Sequence, residues 1–396
     1  SSYALTSAYS QRRYRTDRFS PSGWNFDGSH WAPGESKLFN YDLERERFSL
    51  SGAWNTYFAQ NWSFEAFGAF STFTETELRN NAELNFRDAE QQFKSSNIVQ
   101  FDQVIAERQA RFEEKEKSIA LGSLSFSRNS VDWELSGKAY GARGWLDEPN
   151  ANWTFSTNDP LETVELDLST PLFSRSAPET FYDAENFFFK VRRNKVEHGE
   201  EEILGLSLDL SRYGAFKSLD WEIKFGGRSD WISKNHNVDQ TYLNAGSTPI
   251  NLAHAALTQS TLSNFLDGRY RFGPSIDYQA AEHFLQTNPQ ESLFILDDRR
   301  SQRTSASEDL GINQLKTSSY AQLKLSGKRV SALLGLRGEH LSSDTVVKLL
   351  DETSSQLLIS ETEHNNTSFN LLPRITVLYS ASEQFQFRLG YSEALA

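Results

Sequence analysis

Polar and apolar residues alternate with a period of two in many segments of this chain, a pattern that predicts β-strands with two unlike faces. The clearest case is VDWELSGKAYG at 131–141, where Trp133 and Leu135 point to one side while Glu134 and Lys138 point to the other. The same alternation recurs in LGLSLDLS, SLDWEIKFGGRSD and RVSALLGLRGEH. The pattern therefore predicts an all-β chain whose sheet has one apolar and one polar face.

About eleven segments carry this alternation, and we expect each to be one strand. They are 3–18, 45–58, 61–79, 114–127, 131–142, 201–212, 217–232, 313–326, 330–343, 366–380 and 384–396. The first segment is weakly patterned, and the last is still running where the sequence stops. Pro373 lies inside the tenth segment, and because proline has no N–H for the ladder, we expect it at a bulge or near a rim.

The connections between these segments alternate between short and long. The short ones are 58–61, 127–130, 212–217, 326–329 and 380–383, and the long ones are roughly 80–113, 143–200, 233–310 and 343–364. Long structureless loops are uncommon in compact soluble domains, whereas a transmembrane barrel has tight turns at its inner rim and long loops at its outer rim. The alternation therefore favours an antiparallel transmembrane β-barrel with short periplasmic turns and long extracellular loops.

A sheet that spans a membrane must close on itself, because hydrocarbon offers no partner to backbone N–H and C=O groups. Eleven is an odd number, while bacterial barrels usually have an even number of strands. We therefore expect 1–396 to be one part of a larger barrel. Charges on the polar face are predicted to line a hydrated lumen or contact a polar plug, since unpaired charges are too costly in a dry interior. These lumen-facing residues are Asp132, Glu134, Lys138, Glu222, Lys224, Arg228, Arg337, Glu339 and Arg374.

Two groups of aromatic residues indicate further features. One group flanks the first short turn, as expected for the girdle that barrels carry where hydrocarbon meets head groups, although a turn packed on an ordinary core is the alternative. This group is Trp54, Tyr57, Phe58, Trp62 and Phe64. The other group lies in predicted extracellular loops beside Asn, Asp and Arg, a combination suited to stacking on sugars or siderophore rings, although packing between loops is the alternative. These candidate ligand-binding residues are Trp145, Trp153, Phe155, Trp231 and Tyr242.

The composition narrows the functional classes. A formal net charge of −13 argues against nucleic acid or an anionic lipid surface as the main partner. The chain has no cysteine, so it has no disulfide framework and no thiol nucleophile. Its seven histidines never fall at i, i+4 spacing, and the phosphate-loop and nucleophile-elbow motifs are missing. We therefore expect no enzyme activity, no cofactor and no metal site.

A mean hydropathy of −0.58 does not exclude a barrel, because the lumen-facing half of each strand cancels the lipid-facing half.

Three segments resemble hairpins of TonB-dependent outer-membrane receptors of the Caulobacter- and Xanthomonas-like branch. They are LLPRITVLYSASEQFQFRLGYSEALA, SSYAQLKLSGKRVSALLGLRGEH and YGAFKSLDWEIKFGGR. The resemblance covers most of 200–396. It implies a 22-stranded barrel filled by an N-terminal plug, of which this chain would supply about half. The plug, its TonB-contacting segment and the C-terminal strands have no counterpart in the sequence.

The resemblance also implies a function, which is TonB-dependent active uptake of a ferric siderophore or an oligosaccharide across the bacterial outer membrane. The implied partners are outer-membrane lipid and lipopolysaccharide, the TonB complex acting through the plug, and the small ligand. Two alternatives stay open. A passive porin-type channel predicts steady conductance without TonB, and a soluble secreted glycan-binding β-protein predicts solubility without detergent.

Overall fold

The computed structural model describes residues 1–26, 28–58, 61–254, 257–259, 262, 264–353, 357–382 and 384–394. In these residues, eleven long strands follow one another in sequence order to form one antiparallel sheet. The strands are β1 (Ser2–Ser22), β2 (Glu35–Phe58), β3 (Trp62–Asn85), β4 (Ile98–Asn129), β5 (Trp133–Thr157), β6 (Phe187–Phe216), β7 (Leu219–Ala245), β8 (Leu310–Ser326), β9 (Val330–Glu352), β10 (Leu357–Ser380) and β11 (Gln386–Ser392). The strand order confirms the predicted all-β antiparallel sheet, as expected of part of a barrel, and β1 and β11 are the two edges of the described sheet.

Neighbouring strands keep one register over most of their length, so the alternation in sequence becomes two continuous faces. Leu124, Ala139 and Leu206, for example, lie directly opposite one another on β4, β5 and β6. Residues opposite each other in an antiparallel ladder share a face. We call the face that carries these residues the apolar face and the other the polar face. Strand β6 shifts register against β5 between Phe189 and Val191.

The strands are longer than the sequence analysis predicted, and the connections are correspondingly shorter. β4 begins at Ile98 and β6 at Phe187, so much of the predicted loops is paired strand. The predicted connection 343–364 is a hairpin in which β9 ends at Glu352 and β10 begins at Leu357. The predicted strands were too short because polar side chains occupy both faces beyond the apolar rows, so the alternation is lost there. The backbone hydrogen bonds between strands continue regardless of side-chain polarity.

The connections that were predicted to be short all lie at one end of the sheet, which we call the turn end, and the opposite end is the loop end. Asn61 and Lys217 adopt left-handed backbone angles in two of these turns, with φ values of 63° and 56°. Ala59, Gln60 and Glu383, which belong to two predicted turns, lie outside the described residues. So do the last two residues of the predicted final strand.

Aromatic side chains mark the turn end of the apolar face. Trp54, Phe58, Trp62 and Phe64 lie on this face, whereas Tyr57 lies on the polar face. Further aromatic residues occupy the apolar face near the other turns, namely Phe126, Trp133, Trp221, Tyr379 and Phe387. The band therefore extends well beyond the single hairpin that predicted it.

Pro373 lies neither at a bulge nor at the turn end. Its register partner on β9 is Leu336, in an unshifted ladder. Its carbonyl accepts from Glu393 N at 3.1 Å, just past Arg374, the last β10 residue that pairs with β11. Since N and O of one residue point to the same side of a strand, the missing N–H faces the side where β11 pairing has ended. No ladder bond to β9 is lost.

The described residues of two segments of chain, 158–186 and 246–297, pack on the loop end of the apolar face, and we call them the loop layer. The layer contains the helix α1 (Tyr278–Thr287), and a second helix, α2 (Asp298–Glu308), follows it. The 3₁₀ helices are Glu179–Tyr182 and Ala184–Asn186, and the short strands in and near the layer are Asn25–Phe26, Trp31–Ala32, Glu90–Phe93, Leu161–Asp167, Ser174–Ser176, Thr258–Gln259, Ser275–Ile276 and Phe294–Leu296. Asp277 and Asp297 cap the two α-helices by accepting backbone N–H bonds at 3.0 and 3.1 Å.

The main hydrophobic core lies between this layer and the sheet. One register row across β1–β6 contributes Phe19, Leu38, Ala82, Arg108, Phe155 and Phe189. The layer contributes Phe181, Phe265 and Phe272, each at most 1% exposed. The core therefore covers the outer stretch of the apolar face and leaves its middle open.

Candidate functional site: an arginine row on the polar face

The polar face carries the residues predicted to line a lumen. Asp132 lies in the turn between β4 and β5, and the other predicted residues lie on this one face. These are Glu134, Lys138, Glu222, Lys224, Arg228, Arg337, Glu339 and Arg374. The register brings them together as predicted, although their role in a lumen stays a prediction.

Several of these charges are held by direct contacts. Glu339 accepts an ion pair from Lys316 at 2.6 Å and from Arg337 at 2.9 Å. The hydroxyl of Tyr213 donates to Glu134 at 3.0 Å. The charges around Glu339 therefore neutralise one another, whereas Glu134 is held by a neutral hydroxyl.

Nearer the loop end, one register row concentrates arginine. Adjacent residues in this row share the polar face of β2–β7, and the row reads Tyr41, Arg79, Arg111, Asn152, Arg193 and Tyr242. We call it the arginine row. Arg79 and Arg111 lie directly opposite each other, an arrangement of like charges that destabilises a sheet unless something compensates.

Carboxylates compensate this repulsion only in part. Arg111 forms ion pairs with Glu113 and, at 3.9 Å, with Glu148, and Glu77 lies 4.0 Å from Arg79. Burial, and after it the charge of Arg79, lowers the pKa of Arg111. A further negative charge beside the row would therefore stabilise the charged form of Arg111.

Polar atoms of the row also lack hydrogen-bond partners. Among the described residues, Nε of Arg111, Nε of Arg193 and Oδ1 of Asn152 are buried without one. Buried polar atoms are nearly always paired, so such a set indicates a place where water or a ligand completes the bonding. Arg193 Nη2 makes only a long bond of 3.5 Å to Asn150.

Aromatic rings border the arginines on the polar face. The guanidinium of Arg79 lies 5.7 Å from the Phe39 ring centroid, and that of Arg47 lies 5.1 Å from Phe73. Arg45 lies 5.5 Å from the ring of Tyr14. Cation–π contacts of this kind hold guanidinium planes in place. The surface thus offers oriented cationic donors beside flat apolar rings, a combination that suits an anionic ligand with aromatic groups.

The predicted ligand-binding residues occupy different places from those expected. The prediction that Trp145, Trp153, Phe155, Trp231 and Tyr242 stand in loops is wrong, because all five lie in strands. Trp153 and Phe155 are at most 1% exposed beneath the loop layer. Tyr242 is 6% exposed, and Arg300 of α2 stacks 3.9 Å from its ring centroid. In the described structure, these three side chains offer a ligand almost no surface.

Trp145 and Trp231 lie on the apolar face, near the upper limit of its exposed rows. Trp145 packs 6.2 Å from Phe70, centroid to centroid, and Trp231 is 38% exposed. A ligand role for these two stays a prediction.

The sequence analysis missed the arginine row because Arg111 and Arg193 fall in segments assigned to loops, while Arg79 is the last residue of a predicted strand. The signal was nevertheless present. RQARFEEKE contains Arg111, LRNNAELN contains Arg79 and KVRRNK contains Arg193. Only the register of the four strands β3–β6 brings these segments into one row.

No group of three metal-ligating side chains occurs in the part of the chain that the structure describes. In the same part, neither helix is long and apolar enough to cross a bilayer.

Comparison with known proteins supplies a family. The family model for the TonB dependent receptor-like beta-barrel matches residues 132–396, more than half of the chain. The siderophore receptor PiuA from Acinetobacter baumannii has a similar structure, with a TM-score of 0.36 and 9% sequence identity over 89% of this chain and 48% of that one. This chain thus spans about half the length of that receptor. A comparison with curated proteins gives no match.

Proposed function

Since this chain belongs to the TonB-dependent receptor-like β-barrel family, we propose that it is part of a receptor that takes up a scarce extracellular ligand across the bacterial outer membrane, with energy delivered through TonB. The ligand that the arginine row favours is anionic, and among the candidates we choose a ferric siderophore over a neutral oligosaccharide. No covalent chemistry takes place in this chain.

The apolar face has the height expected of a membrane band. On β7 its apolar row runs from Leu219 to Trp231, which at about 3.3 Å per residue is about 40 Å along the strand. A strand tilt of about 40° reduces this to a height of about 30 Å, close to the thickness of a hydrocarbon core. We propose that lipid covers this band, with lipopolysaccharide at the loop end and phospholipid at the turn end.

The single observation that carries the ligand class is the arginine row. Arg79, Arg111 and Arg193 share one register row on the polar face, and Nε of Arg111 and Nε of Arg193 are buried without partners. An anionic ligand would supply both charge and acceptors, whereas a neutral sugar would supply acceptors alone. Trp145 and Trp231 belong, in this proposal, to the outer aromatic band of the membrane rather than to the ligand site.

The remaining parts of the receptor are also proposals. A 22-stranded barrel, which the family resemblance implies, needs eleven strands beyond those of this chain and a plug that contacts TonB. The paired charges around Glu339 would then face the plug. The polar face has room for such a contact, because a cavity of about 710 Å³ is lined there by Arg337, Arg374 and Arg388.

Binding to the complete receptor tests the ligand class. The probes are a ferric tris-catecholate complex, a ferric hydroxamate complex and a neutral oligosaccharide. We expect Arg79→Gln and Arg111→Gln each to weaken binding of the anionic probe about tenfold, because each removes a charged hydrogen bond. Arg143→Gln is the matched control, since Arg143 lies on the apolar face of β5 and should leave affinity unchanged. Tight binding of the neutral probe, unaffected by the arginine changes, would contradict a site for anions.

Uptake by cells tests the mechanism separately. Accumulation of the bound probe should stop when TonB is deleted, while binding at the surface stays intact. Steady conductance of the receptor in a planar bilayer, with uptake that persists without TonB, would instead identify a passive channel.

A further inference from the structure

Tryptophan and arginine alternate across four strands at the turn end of the apolar face. Trp62 on β3 lies opposite Arg128 on β4, and Trp133 on β5 lies opposite Arg212 on β6. The guanidinium carbon of Arg128 lies 5.3 Å from the ring centroid of Trp62 and 4.8 Å from that of Trp133. We call these four residues the Trp–Arg strip.

The strip lies where the apolar rows meet the turns. Leu135 is directly opposite Arg128, and Leu210 is directly opposite Leu135, so aliphatic side chains begin immediately beside the strip. Arg212 is exposed, and Arg128 and Trp133 are partly exposed. The guanidinium groups therefore stand at the depth where the head groups of a bilayer begin, if the apolar band is the membrane band.

The two ends of the apolar face carry opposite charge. At the loop end, Glu46, Glu116 and Asp147 fall in one register row through Thr74. At the turn end, the described strand residues of this face include the two strip arginines and no carboxylate. A molecule with a phosphate at one end and hydrocarbon at the other is thus attracted to one end of this face and repelled at the other.

We propose that the Trp–Arg strip binds the phosphate of an anionic glycerophospholipid in the periplasmic leaflet. The planar guanidinium groups donate paired hydrogen bonds to phosphate oxygens, which an ammonium cannot do in the same geometry. The indole rings fix the guanidinium plane of Arg128 and lie at the interfacial depth that tryptophan favours. The acyl chains lie along Leu135 and Leu210. The orientation rests on the turn end facing the periplasm.

Native mass spectrometry of the complete receptor in detergent tests this site. The probe is phosphatidylglycerol, titrated against wild type and the double variant Arg128→Gln, Arg212→Gln. We expect retention of phosphatidylglycerol to weaken about fivefold for each arginine removed, since each basic residue near a membrane surface contributes a similar amount to the binding of anionic lipid. Lys324→Gln is the matched control, because Lys324 lies near the same end on the polar face and should not change retention.

Further arms separate charge from geometry and lipid from free anion. Arg128→Lys with Arg212→Lys keeps the positive charge but loses the planar guanidinium geometry for paired hydrogen bonds. Its retention of phosphatidylglycerol should therefore lie between those of wild type and the double Gln variant. Phosphatidylcholine should be retained equally by all variants, and inorganic phosphate should not displace phosphatidylglycerol.

Equal retention of phosphatidylglycerol by wild type and the double variant would overturn the proposal, as would displacement by inorganic phosphate alone. Heat-modifiable migration confirms that each variant is folded. If the double variant does not fold, Arg212→Gln alone decides the question, because its exposed side chain leaves the packing intact.

Discussion

The apolar face is open in the middle of the sheet and covered at the loop end, although the same strands build both regions. On β6, Leu204, Leu206 and Leu208 are 58%, 64% and 53% exposed. At the loop end of the same face, Leu38 and Phe155 are both 0% exposed. The two regions do not differ in pleat or pairing; they differ in what lies against them.

This difference shows what a barrel strand needs once it leaves the membrane. An apolar row of side chains is stable against hydrocarbon but costly against water. At the loop end the protein supplies its own cover, because described residues of 158–186 and 246–297 pack on the apolar face. The loop layer is thus a small soluble core built on one face of a membrane sheet.

Polar contacts fix the loop layer to the sheet. Glu282 of α1 accepts from Trp153 Nε1 at 2.7 Å and binds both Nε and Nη2 of Arg192 at 2.9 Å. Arg108, wholly buried, donates to the carbonyls of Phe181 and Phe272 at 2.7 Å each. Four experiments test the contrast between the two regions, beginning with the largest expected effect.

Trp153→Ala should destabilise the loop layer by about 4 kcal/mol, because it opens a cavity in a closed core and removes the bond to Glu282. Hydrogen exchange of residues 246–297 in the reconstituted receptor measures this opening. Leu206→Ala is the control on the open band, where lipid fills the space and exchange should change little. Equal effects of both substitutions would mean that the two regions are not distinct.

Glu282→Gln should cost the layer about 3 kcal/mol, since it leaves the guanidinium of Arg192 without its anion in a site where the Arg192 side chain is only 12% exposed. Limited proteolysis within 246–297 reports the loss. Glu179→Gln provides the comparison, because the Glu179–Arg271 pair is 82% and 53% exposed and should contribute less than about 1 kcal/mol. A similar response to both changes would contradict a larger contribution from the buried Glu282–Arg192 pair than from the exposed Glu179–Arg271 pair.

Arg175→Met should stabilise the layer at neutral pH by up to about 3 kcal/mol. None of its three guanidinium nitrogens has a hydrogen-bond partner among the described residues, and burial lowers the pKa of Arg175 to about 10. The unfolded chain therefore holds more protons above that pH, so wild-type stability should rise as pH increases from about 10 towards the ordinary arginine value. The variant should lose this rise.

Thermal unfolding of the layer at a series of pH values measures both effects of the Arg175 change. Arg271→Met, which removes an exposed arginine and its pair with Glu179, serves as the control and should shift stability by less than about 1 kcal/mol. A destabilised Arg175→Met variant would show that the buried guanidinium has a partner after all.

Gly205→Ala should lower the free energy of unfolding by about 2 kcal/mol, because Gly205 lies on the tightly packed polar face in the middle of the sheet. Tyr140 of β5 lies over Gly205 of β6 and donates to Asp230 of β7. A methyl group at 205 would displace the ring and break that bond. Gly122→Ala is the matched control, since the nearest atom to its added carbon is Phe67 O at 3.5 Å. Urea midpoints of the refolded receptor in lipid vesicles rank the two.

The sequence by itself determined the architecture. Alternation of apolar and polar residues is a local property of each strand, so it predicted eleven strands, their antiparallel order and the two faces. It also placed Glu134, Lys224 and Arg337 on the polar face, because the face that a residue occupies follows from alternation along its own strand and does not depend on the neighbouring strands.

Tertiary structure decided the strand lengths, the cover of the loop end and the arginine row. Trp153 and Trp231 look alike in sequence, yet one is buried under the loop layer and the other is partly exposed on the apolar face. Arg79, Arg111 and Arg193 are far apart in the chain, and only the register of four strands aligns them. Register and burial depend on contacts between distant segments, and local periodicity contains no information about those contacts.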